Sequence, residues 1–235
     1  MKIKYKYYQF NFVFLFIIGF VNGQQTGSPS FSGNFSSYNQ VIDFKKMLTF
    51  NKINVRISAE KKFLFSKWDN KGIINDKFKI QSLNYSVYDD ALAYKMSEDS
   101  IFLFDKSKVD KFIISTTLFE RHYMGTELGS YYLQSIYKSN SLDISLLKHY
   151  YLQEIKKKAD PLMLSQQNVE YKSEYEYYIN QSIGYPSKIR LRKKDILPYF
   201  KKYEKQLLDY VSSNNLSFSK ENDVVKMFVY LETLK

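Results

Sequence analysis

Residues 77–115 constrain the fold of this chain more than any other stretch, because short apolar runs alternate there with polar turns. The runs are rich in aromatic and β-branched residues, which favour strands. They span residues 78–85, 91–96, 101–104 and 109–114, and the turns between them are Tyr88-Asp89-Asp90, Ser97-Glu98-Asp99 and Asp105-Lys106-Ser107. Strands of this length with turns at this spacing predict an antiparallel sheet.

Similar patterns on both sides of this stretch predict that the sheet is larger. Residues 63–68 are expected to begin it, before a turn at residues 69–72 in which Gly72 suits a positive φ. Further strands are predicted at 118–123 and 128–137, and a closing hairpin joins 175–179 to 187–192. Residues 41–57 and 144–155 fit a helix and a strand equally well, and residues 156–169 are predicted to form a loop.

The end of the chain changes to helical periodicity. Asp195 is a candidate N-cap for a helix that begins at Ile196 and ends at Asn214-Asn215, and Ser219 is a candidate N-cap for a second helix. The predicted inward faces are Ile196, Phe200, Tyr203, Leu207 and Tyr210, then Val224, Phe228 and Leu231. The predicted fold is therefore mainly β, an antiparallel sheet body, sandwich or barrel-like, with two C-terminal α-helices (α+β overall).

The first 23 residues have the pattern of a secretory signal peptide. Lys2, Lys4 and Lys6 precede an apolar run at residues 12–21, and Gly23 is a small residue at the expected cleavage point. An uncleaved anchor is the alternative, but the run is shorter than the ~20 residues that span a bilayer. The predicted organisation is a signal peptide at 1–23, a flexible leader and N-terminal segment at 24–60, an antiparallel β domain at 61–192 and a docked helical segment at 193–235.

Composition restricts the chemistry of the chain. It has 22 Tyr and 19 Phe but no cysteine, which excludes disulfides, thiolate metal sites and a cysteine nucleophile. The net charge of +11 falls to +8 if the three lysines of the signal peptide are removed. A basic exported protein is attracted to anionic envelope surfaces, although such charge also serves solubility alone.

No catalytic motif is present. His122 and His149 lie in different elements without the spacing of a zinc site, so both are expected to be structural or surface residues. The acidic pairs Asp89-Asp90 and Glu98-Asp99 lie where turns are expected, and Asp is favoured there for local hydrogen bonding. We therefore predict no catalytic residue, no cofactor and no metal ligand.

One charge cluster is a candidate binding site for an anionic partner. Between residues 188 and 205 eight cations face only two carboxylates, Asp195 and Glu204. The cations are Lys188, Arg190, Arg192, Lys193, Lys194, Lys201, Lys202 and Lys205. Export makes nucleic acid an unexpected partner and leaves anionic lipid, polysaccharide or an acidic envelope protein. The alternative is a solvated surface without a specific partner.

Several segments together resemble a group of small exported bacterial proteins with no known activity. They are FLFSKWDNKGII, LNYSVYDDALAYKMSEDSIFLFD and KVDKFII, then SLLKHYYL, ADPLML, EYEYYI and KIRLRKKDIL, and finally LSFSKENDVVKMFVYL. The resemblance covers residues 60–235. It implies export and a β-rich body with a helical end, and it supplies no catalytic residue.

These observations support two functional interpretations of different class. The first is a non-enzymatic cell-envelope or secreted protein, periplasmic or extracellular, that acts through binding or as a structural component. The alternative is a carboxylate-dependent extracellular hydrolase without a recognisable motif. A cleft with convergent carboxylates of perturbed pKa would favour the hydrolase, and a smooth body with one basic or aromatic face would favour the binding protein.

Overall fold

The computed structural model describes residues 38–49, 59–97, 100–139, 141–156 and 169–235. The predicted signal peptide and the leader at 24–37 lie outside the described residues. So do the predicted turn residues Glu98 and Asp99, the loop at 157–168, and residues 50–58 of the ambiguous N-terminal segment.

Strands dominate the described residues, and they form two antiparallel sheets. The strands are β1 (Leu48–Thr49), β2 (Gly72–Ile74), β3 (Phe78–Ile80), β4 (Leu83–Ser86), β5 (Ala91–Ser97), β6 (Ser100–Phe104), β7 (Lys111–Ile114), β8 (Thr117–Tyr123), β9 (Ser130–Ser139), β10 (Ile144–Lys156), β11 (Val169–Gln181) and β12 (Ser187–Ile189). The smaller sheet has the order β1-β6-β5-β4, and the larger has the order β12-β11-β10-β9-β8-β7-β2-β3. Every described pairing between these strands is antiparallel.

Helices lie at both ends of the described chain. They are α1 (Tyr38–Met47), α2 (Ala59–Lys62), α3 (Lys193–Ile196), α4 (Glu204–Ser213) and α5 (Glu221–Glu232), with 3-10 helices at Lys106–Lys108 and Leu197–Tyr203. The prediction of a mainly β protein with an antiparallel sheet body and two C-terminal helices is confirmed. The larger sheet is open, with β12 and β3 at its edges, so the barrel-like form of the prediction is wrong.

The strands predicted in residues 77–115 exist, but they do not form one sheet. The run predicted at 78–85 divides into β3 and β4, because Ser82 adopts a left-handed conformation (φ +59°) between them. This break places β3 and β7 in the larger sheet and β4, β5 and β6 in the smaller one. The segment therefore connects the two sheets.

Gly72 is needed for a reason different from the one predicted. It is the first residue of β2, and a Cβ atom there would lie 2.2 Å from the backbone oxygen of Ile113 on β7. A side chain at this position would push β2 away from β7. The strand predicted at 63–68 is also wrong, because Phe63 makes only an isolated bridge to Ser86.

Both ambiguous segments now have a structure where they are described. Residues 38–47 form α1, and Phe44 and Met47 bury one side of that helix. Residues 144–156 form the long strand β10, which pairs along its whole length with β11. Tertiary pairing decides the second case, since the apolar pattern fitted both periodicities.

An aromatic core joins the two sheets. Its rings are Phe44, Phe78, Tyr85, Tyr94, Phe104, Phe112, Phe119 and Tyr132, all nearly inaccessible to solvent. Tyr85 of the smaller sheet stacks on Phe119 of the larger one with 4.9 Å between ring centroids, and Phe119 stacks on Phe112 at 5.0 Å. We call this cluster the aromatic core.

A second cluster, which we call the helical core, lies between the C-terminal helices and the other end of the long strands. It comprises Ile144, Leu146, Ile179, Ile189, Ile196, Leu197, Phe200, Leu207, Val224, Met227, Phe228 and Leu231. The predicted inward residues Val224, Phe228 and Leu231 are fully buried. Asn215 has the expected positive φ of 51° after α4, but the side chain of Ser219 does not cap α5.

Candidate functional site

The predicted basic segment runs from the edge strand β12 into the C-terminal helices. Lys188 lies on β12, Arg190 and Arg192 follow it, Lys193 and Lys194 begin α3, Lys201 and Lys202 lie on the 3-10 helix, and Lys205 lies on α4. Seven of these eight side chains are exposed, and Arg192 is half-buried. The segment is therefore a solvent-facing surface, as its charge requires.

Asp195 holds the start of the helical segment, although it is not the predicted N-cap. It lies inside α3, and its carboxylate accepts hydrogen bonds from the backbone N–H of Arg190 (3.0 Å) and from Nε of Arg192 (2.9 Å). The hydrogen bond with Arg192 and the one from the Arg190 backbone hold the pKa of Asp195 below its usual range. Asp195, one of the two carboxylates in the segment, therefore has a structural role.

The helix predicted from Ile196 is interrupted, and the interruption positions two lysines. Phe200 has non-helical dihedral angles (φ −127°, ψ 30°), so a 3-10 helix precedes α4. Ile196 and Phe200 remain buried in the helical core. Lys201 and Lys202 directly follow Phe200 and are exposed, and Lys202 lies over the ring of Tyr203 at 5.1 Å.

Most of the cations in the segment have no acidic partner within the described part of the chain. Lys188 forms an ion pair with Glu176 on the neighbouring strand, and Arg192 pairs with Asp195. Among the described residues, no carboxylate lies within ion-pair distance of the other six, which are Arg190, Lys193, Lys194, Lys201, Lys202 and Lys205. Their charge is available to an external anion.

A cleft of about 260 Å³ lies beside this surface, between the ends of β10 and β11 and the 3-10 helix. Ile144 and Phe200 supply apolar wall, while Lys202 and Lys235 supply ammonium groups. The remaining lining residues are Leu142, Gln181, Tyr199 and Tyr203. The described lining has two ammonium groups, no acidic side chain and several hydroxyl or amide donors, and the ammonium group of Lys235 already donates to the backbone oxygen of Ser141. Lys202 is therefore the cation most open to a small anionic group. Sequence reasoning missed Gln181 and Lys235, because no local pattern connects them to the segment.

The acidic pair at residues 89 and 90 forms a second polar centre. The Asp90 carboxylate accepts hydrogen bonds from the hydroxyl of Tyr85 (2.5 Å) and the backbone N–H of Tyr132 (3.1 Å), and it pairs with Lys106. Asp89 pairs with the buried Lys62 at 2.9 Å. Burial raises the pKa of Asp90 against the opposing effect of Lys106.

The position of Asp90 has a structural cause. The pairing of β9 with β10 begins at Ser139 opposite Ile144 and ends at Gln134 opposite Lys148. Beyond Lys148, β10 remains paired with β11. Asp90 supplies an acceptor to Tyr132, just beyond the end of that ladder. A turn residue of the smaller sheet thus completes the hydrogen bonding of the larger one.

The two histidines lie on the face of the larger sheet opposite the aromatic core. His149 stacks on Tyr131 with 4.7 Å between ring centroids, and its Nδ1 lies 3.7 Å from Glu176 Oε1. Neither His149 Nδ1 nor His122 Nε2 has a hydrogen-bond partner among the described residues. Burial lowers the pKa of both imidazoles.

A third centre surrounds Lys148 with tyrosine rings. Its ammonium nitrogen lies 4.2 Å from the ring centroid of Tyr175, 5.4 Å from that of Tyr150 and 5.5 Å from that of Tyr177. Glu221, the first residue of α5, accepts from Lys148 at 2.9 Å and from the Tyr177 hydroxyl at 2.7 Å. Burial alone would lower the pKa of Lys148, but the hydrogen bond to Glu221 and the neighbouring tyrosines raise it. This arrangement connects α5 to the sheet.

Within the described part of the chain, no group of three or more His, Asp or Glu side chains is placed to hold a metal ion. No described helix is both long and apolar enough to cross a bilayer. No protein-family model, curated protein or solved structure matches the chain.

Proposed function

We propose that this is an exported, non-enzymatic binding protein of the cell envelope or the extracellular space, and that its basic C-terminal segment contacts an anionic partner. The observation that carries this proposal is the group of six exposed cations between residues 190 and 205 that have no carboxylate of the described residues within ion-pair distance. The cleft beside them, with Lys202 and Lys235 in its wall, offers a place for one anionic group.

Electrostatics explains why such a segment acts as a unit. Isolated exposed charges are screened beyond ~8–10 Å at physiological salt, whereas clustered cations attract a polyanion together. Each lysine near an anionic surface contributes only about 1 kcal/mol, so several are needed. Six clustered cations are expected to give binding that depends strongly on salt.

The hydrolase interpretation has one observation in its favour, the raised pKa of Asp90. However, both Asp90 oxygens already accept from protein donors, namely Tyr85, Tyr132 and Lys106. A substrate would have to displace one of them. We therefore interpret this carboxylate as a structural acceptor and prefer the binding protein.

Export is part of the proposal, and it rests on the charged, apolar and small-residue regions at 1–23. The resemblance to small exported bacterial proteins points in the same direction. Mass spectrometry of the exported protein should find Gln24, or a residue within about three positions of it, at the N-terminus. Retention of Met1 on a membrane-extractable protein would contradict cleavage.

The binding proposal is tested with charge reversal. The variant Lys193→Glu, Lys194→Glu, Lys201→Glu should fold normally and lose binding to anionic vesicles or acidic polysaccharide, and parental binding should weaken steeply with salt. The matched control is Lys67→Glu, Lys71→Glu, Lys79→Glu, which makes the same change in net charge at exposed lysines of the sheet region. Equal losses in both triple variants, or equal parental binding to neutral and anionic surfaces, would reject the proposal.

A further inference from the structure

Two loops of the larger sheet contact each other. They are residues 124–129, between β8 and β9, and residues 182–186, between β11 and β12. The rings of Tyr123 and Tyr185 make an edge contact with 5.4 Å between centroids. Met124 is buried in a cluster with Leu133, Leu147 and Tyr178, so the first loop is anchored on the sheet.

The two loops and the adjoining Tyr123 expose four large hydrophobic side chains. Ile183 is 94% exposed, Tyr185 58%, Leu128 54% and Tyr123 48%. Within the described residues, these four make up half of the eight large hydrophobic side chains that are exposed. Single exposed hydrophobic residues are ordinary, but a cluster at the tips of touching loops indicates an interaction surface. We call these four residues the apolar tip.

Cations follow the apolar tip directly in the chain. Arg190 is seven residues after Ile183, so even a fully extended chain places it within about 25 Å of Ile183. Lys188, two residues before Arg190, is paired with Glu176, so Arg190 is the nearest cation of the segment without a described acidic partner. The loops themselves carry one carboxylate, Glu127, and no cation. Apolar contact and positive charge are thus adjacent but separate, as the boundary of an anionic bilayer requires.

We propose that the apolar tip inserts into the headgroup region of an anionic lipid surface while the basic segment contacts the headgroups. This inference rests on the proposed function, and it selects lipid among the anionic partners. An acidic polysaccharide offers charge but no apolar layer for Ile183. Tyrosine side chains are favoured at the membrane–water interface, because one end of the ring is apolar and the other is polar.

A second copy of the chain is a less suitable occupant. A two-fold contact through the apolar tip would bring the same surface of both copies together. It would also bring Lys188 and Arg190 of one copy towards those of the other, and like charges repel. The apolar tip is therefore assigned to lipid, and self-association is one outcome of the test.

The test measures binding of the exported protein to vesicles of phosphatidylcholine and phosphatidylglycerol in equal amounts, with pure phosphatidylcholine for comparison. Ile183→Ser should lower the affinity about 5- to 10-fold, because a partly inserted isoleucine side chain loses its apolar environment. The control is Ile155→Ser, which makes the same change at a half-exposed residue. Ile155 lies opposite Glu170 of β11, near the end of β10 that is remote from Ile144. It should change the affinity less than about 2-fold.

Fluorescence gives an independent readout. Ile183→Trp should shift its emission to shorter wavelengths on anionic vesicles and keep the parental affinity or exceed it. Trp68 packs against Phe63 at 4.6 Å in the sheet region and gives a constant background. All variants share one N-terminus, so any effect of residues 12–21 is common to them.

The outcomes separate this inference from the proposed function. If charge reversal abolishes vesicle binding and Ile183→Ser leaves it unchanged, the basic segment binds but the apolar tip does not insert. Binding to acidic polysaccharide without binding to anionic vesicles also overturns the inference and leaves the proposed function standing. Sedimentation velocity that shows a dimer broken by Ile183→Ser would assign the tip to a second copy. Loss of vesicle affinity in Ile183→Ser alone, with Ile155→Ser unchanged, supports insertion.

Discussion

The aromatic core and the helical core share the long strands of the larger sheet but are built from different side chains. The eight rings of the aromatic core make up half of a buried cluster of sixteen residues, whereas two of the twelve residues of the helical core carry a ring. The hydroxyl groups of buried tyrosines need hydrogen-bond acceptors. The hydroxyl of Tyr85 donates to Asp90, and that of Tyr132 donates to the backbone oxygen of Val109. No member of the helical core has an N–H or O–H group in its side chain.

This difference separates two kinds of sensitivity to mutation. In the helical core, a truncated side chain leaves a cavity and little else. In the aromatic core, a change also leaves a buried charge or hydroxyl without its partner, which costs additional free energy. The first two of the four predictions below test this contrast and the last two extend it to buried polar groups outside both cores, from the largest expected effect to the smallest.

Phe119→Ala and Phe228→Ala should each lower the free energy of unfolding by about 3–5 kcal/mol, because both rings are fully buried. Strand β10 contacts both cores, so we expect one cooperative transition in each variant. Urea denaturation should be followed by Trp68 fluorescence, which reports the sheet region, and by far-UV circular dichroism. Loss of helical signal before the fluorescence change in Phe228→Ala would show that the two cores unfold separately. An effect below about 0.5 kcal/mol would mean that α5 is not docked.

Asp90→Ala should lower the free energy of unfolding by about 3 kcal/mol, because it leaves Lys106, Tyr85 and the N–H of Tyr132 without an acceptor. The double variant Asp90→Ala, Lys106→Met should regain part of this loss, since it removes the unpaired ammonium group. Chemical denaturation of both variants measures the difference. A double variant less stable than the single one would mean that Lys106 stabilises the fold independently of Asp90.

Lys148→Met should lower the free energy of unfolding by about 1–2 kcal/mol, because the contacts with three tyrosine rings and Glu221 are lost while the aliphatic volume is kept. Lys226→Met is the control on α5, where an exposed lysine lies 3.8 Å from Asp223, and it should cost less than about 0.5 kcal/mol. Thermal unfolding of the pair provides the measurement. Equal effects would remove the special role of the tyrosine rings.

Acid should weaken the sheet through its histidines, and this effect should be the smallest. Burial lowers the folded-state pKa of His149 below its unfolded value of 6.5, so the unfolded chain takes up a proton first. The stabilisation is complete above pH 6.5 and is lost as the pH falls from 6.5 towards the lower folded-state pKa. In His149→Gln, the decline in the free energy of unfolding over this range should be shallower than in the parent. A parallel decline in both proteins would assign it to other groups.

The alternating strands and the helical end were predictable, because the spacing of apolar residues that indicates a strand or a helix is local to each segment. The division into two sheets was not, since β3 and β4 have the same apolar character and only the conformation at Ser82 separates them. Gly72 was recognised as special but for the wrong reason, because its constraint comes from Ile113 on a distant strand.

The same limit applies to the candidate site. Charge density alone identified the eight basic residues, and their exposure follows from the cost of burying charge. The cleft beside them was not predictable, because Gln181 and Lys235 reach it only through tertiary packing. The tyrosine rings around Lys148 come from two strands, and pairing brings them together. An apolar residue in the hairpin loop, Ile183, was the one available signal for the apolar tip.

The strand order of the larger sheet has a consequence for the rate at which the protein folds. From β7 to β12 every neighbour in the sheet is also the next strand in the chain, so five successive hairpins build most of it. Among the described pairings of the larger sheet, only the contact of β2 with β7 closes a long loop, and that loop contains β3 and three strands of the smaller sheet, β4, β5 and β6. Sheets made of sequence-local pairs have low contact order and fold faster than sheets dominated by distant pairs. We therefore expect strands β7 to β12 to form their sheet first and the pairing of β2 with β7 to be the slow step of folding.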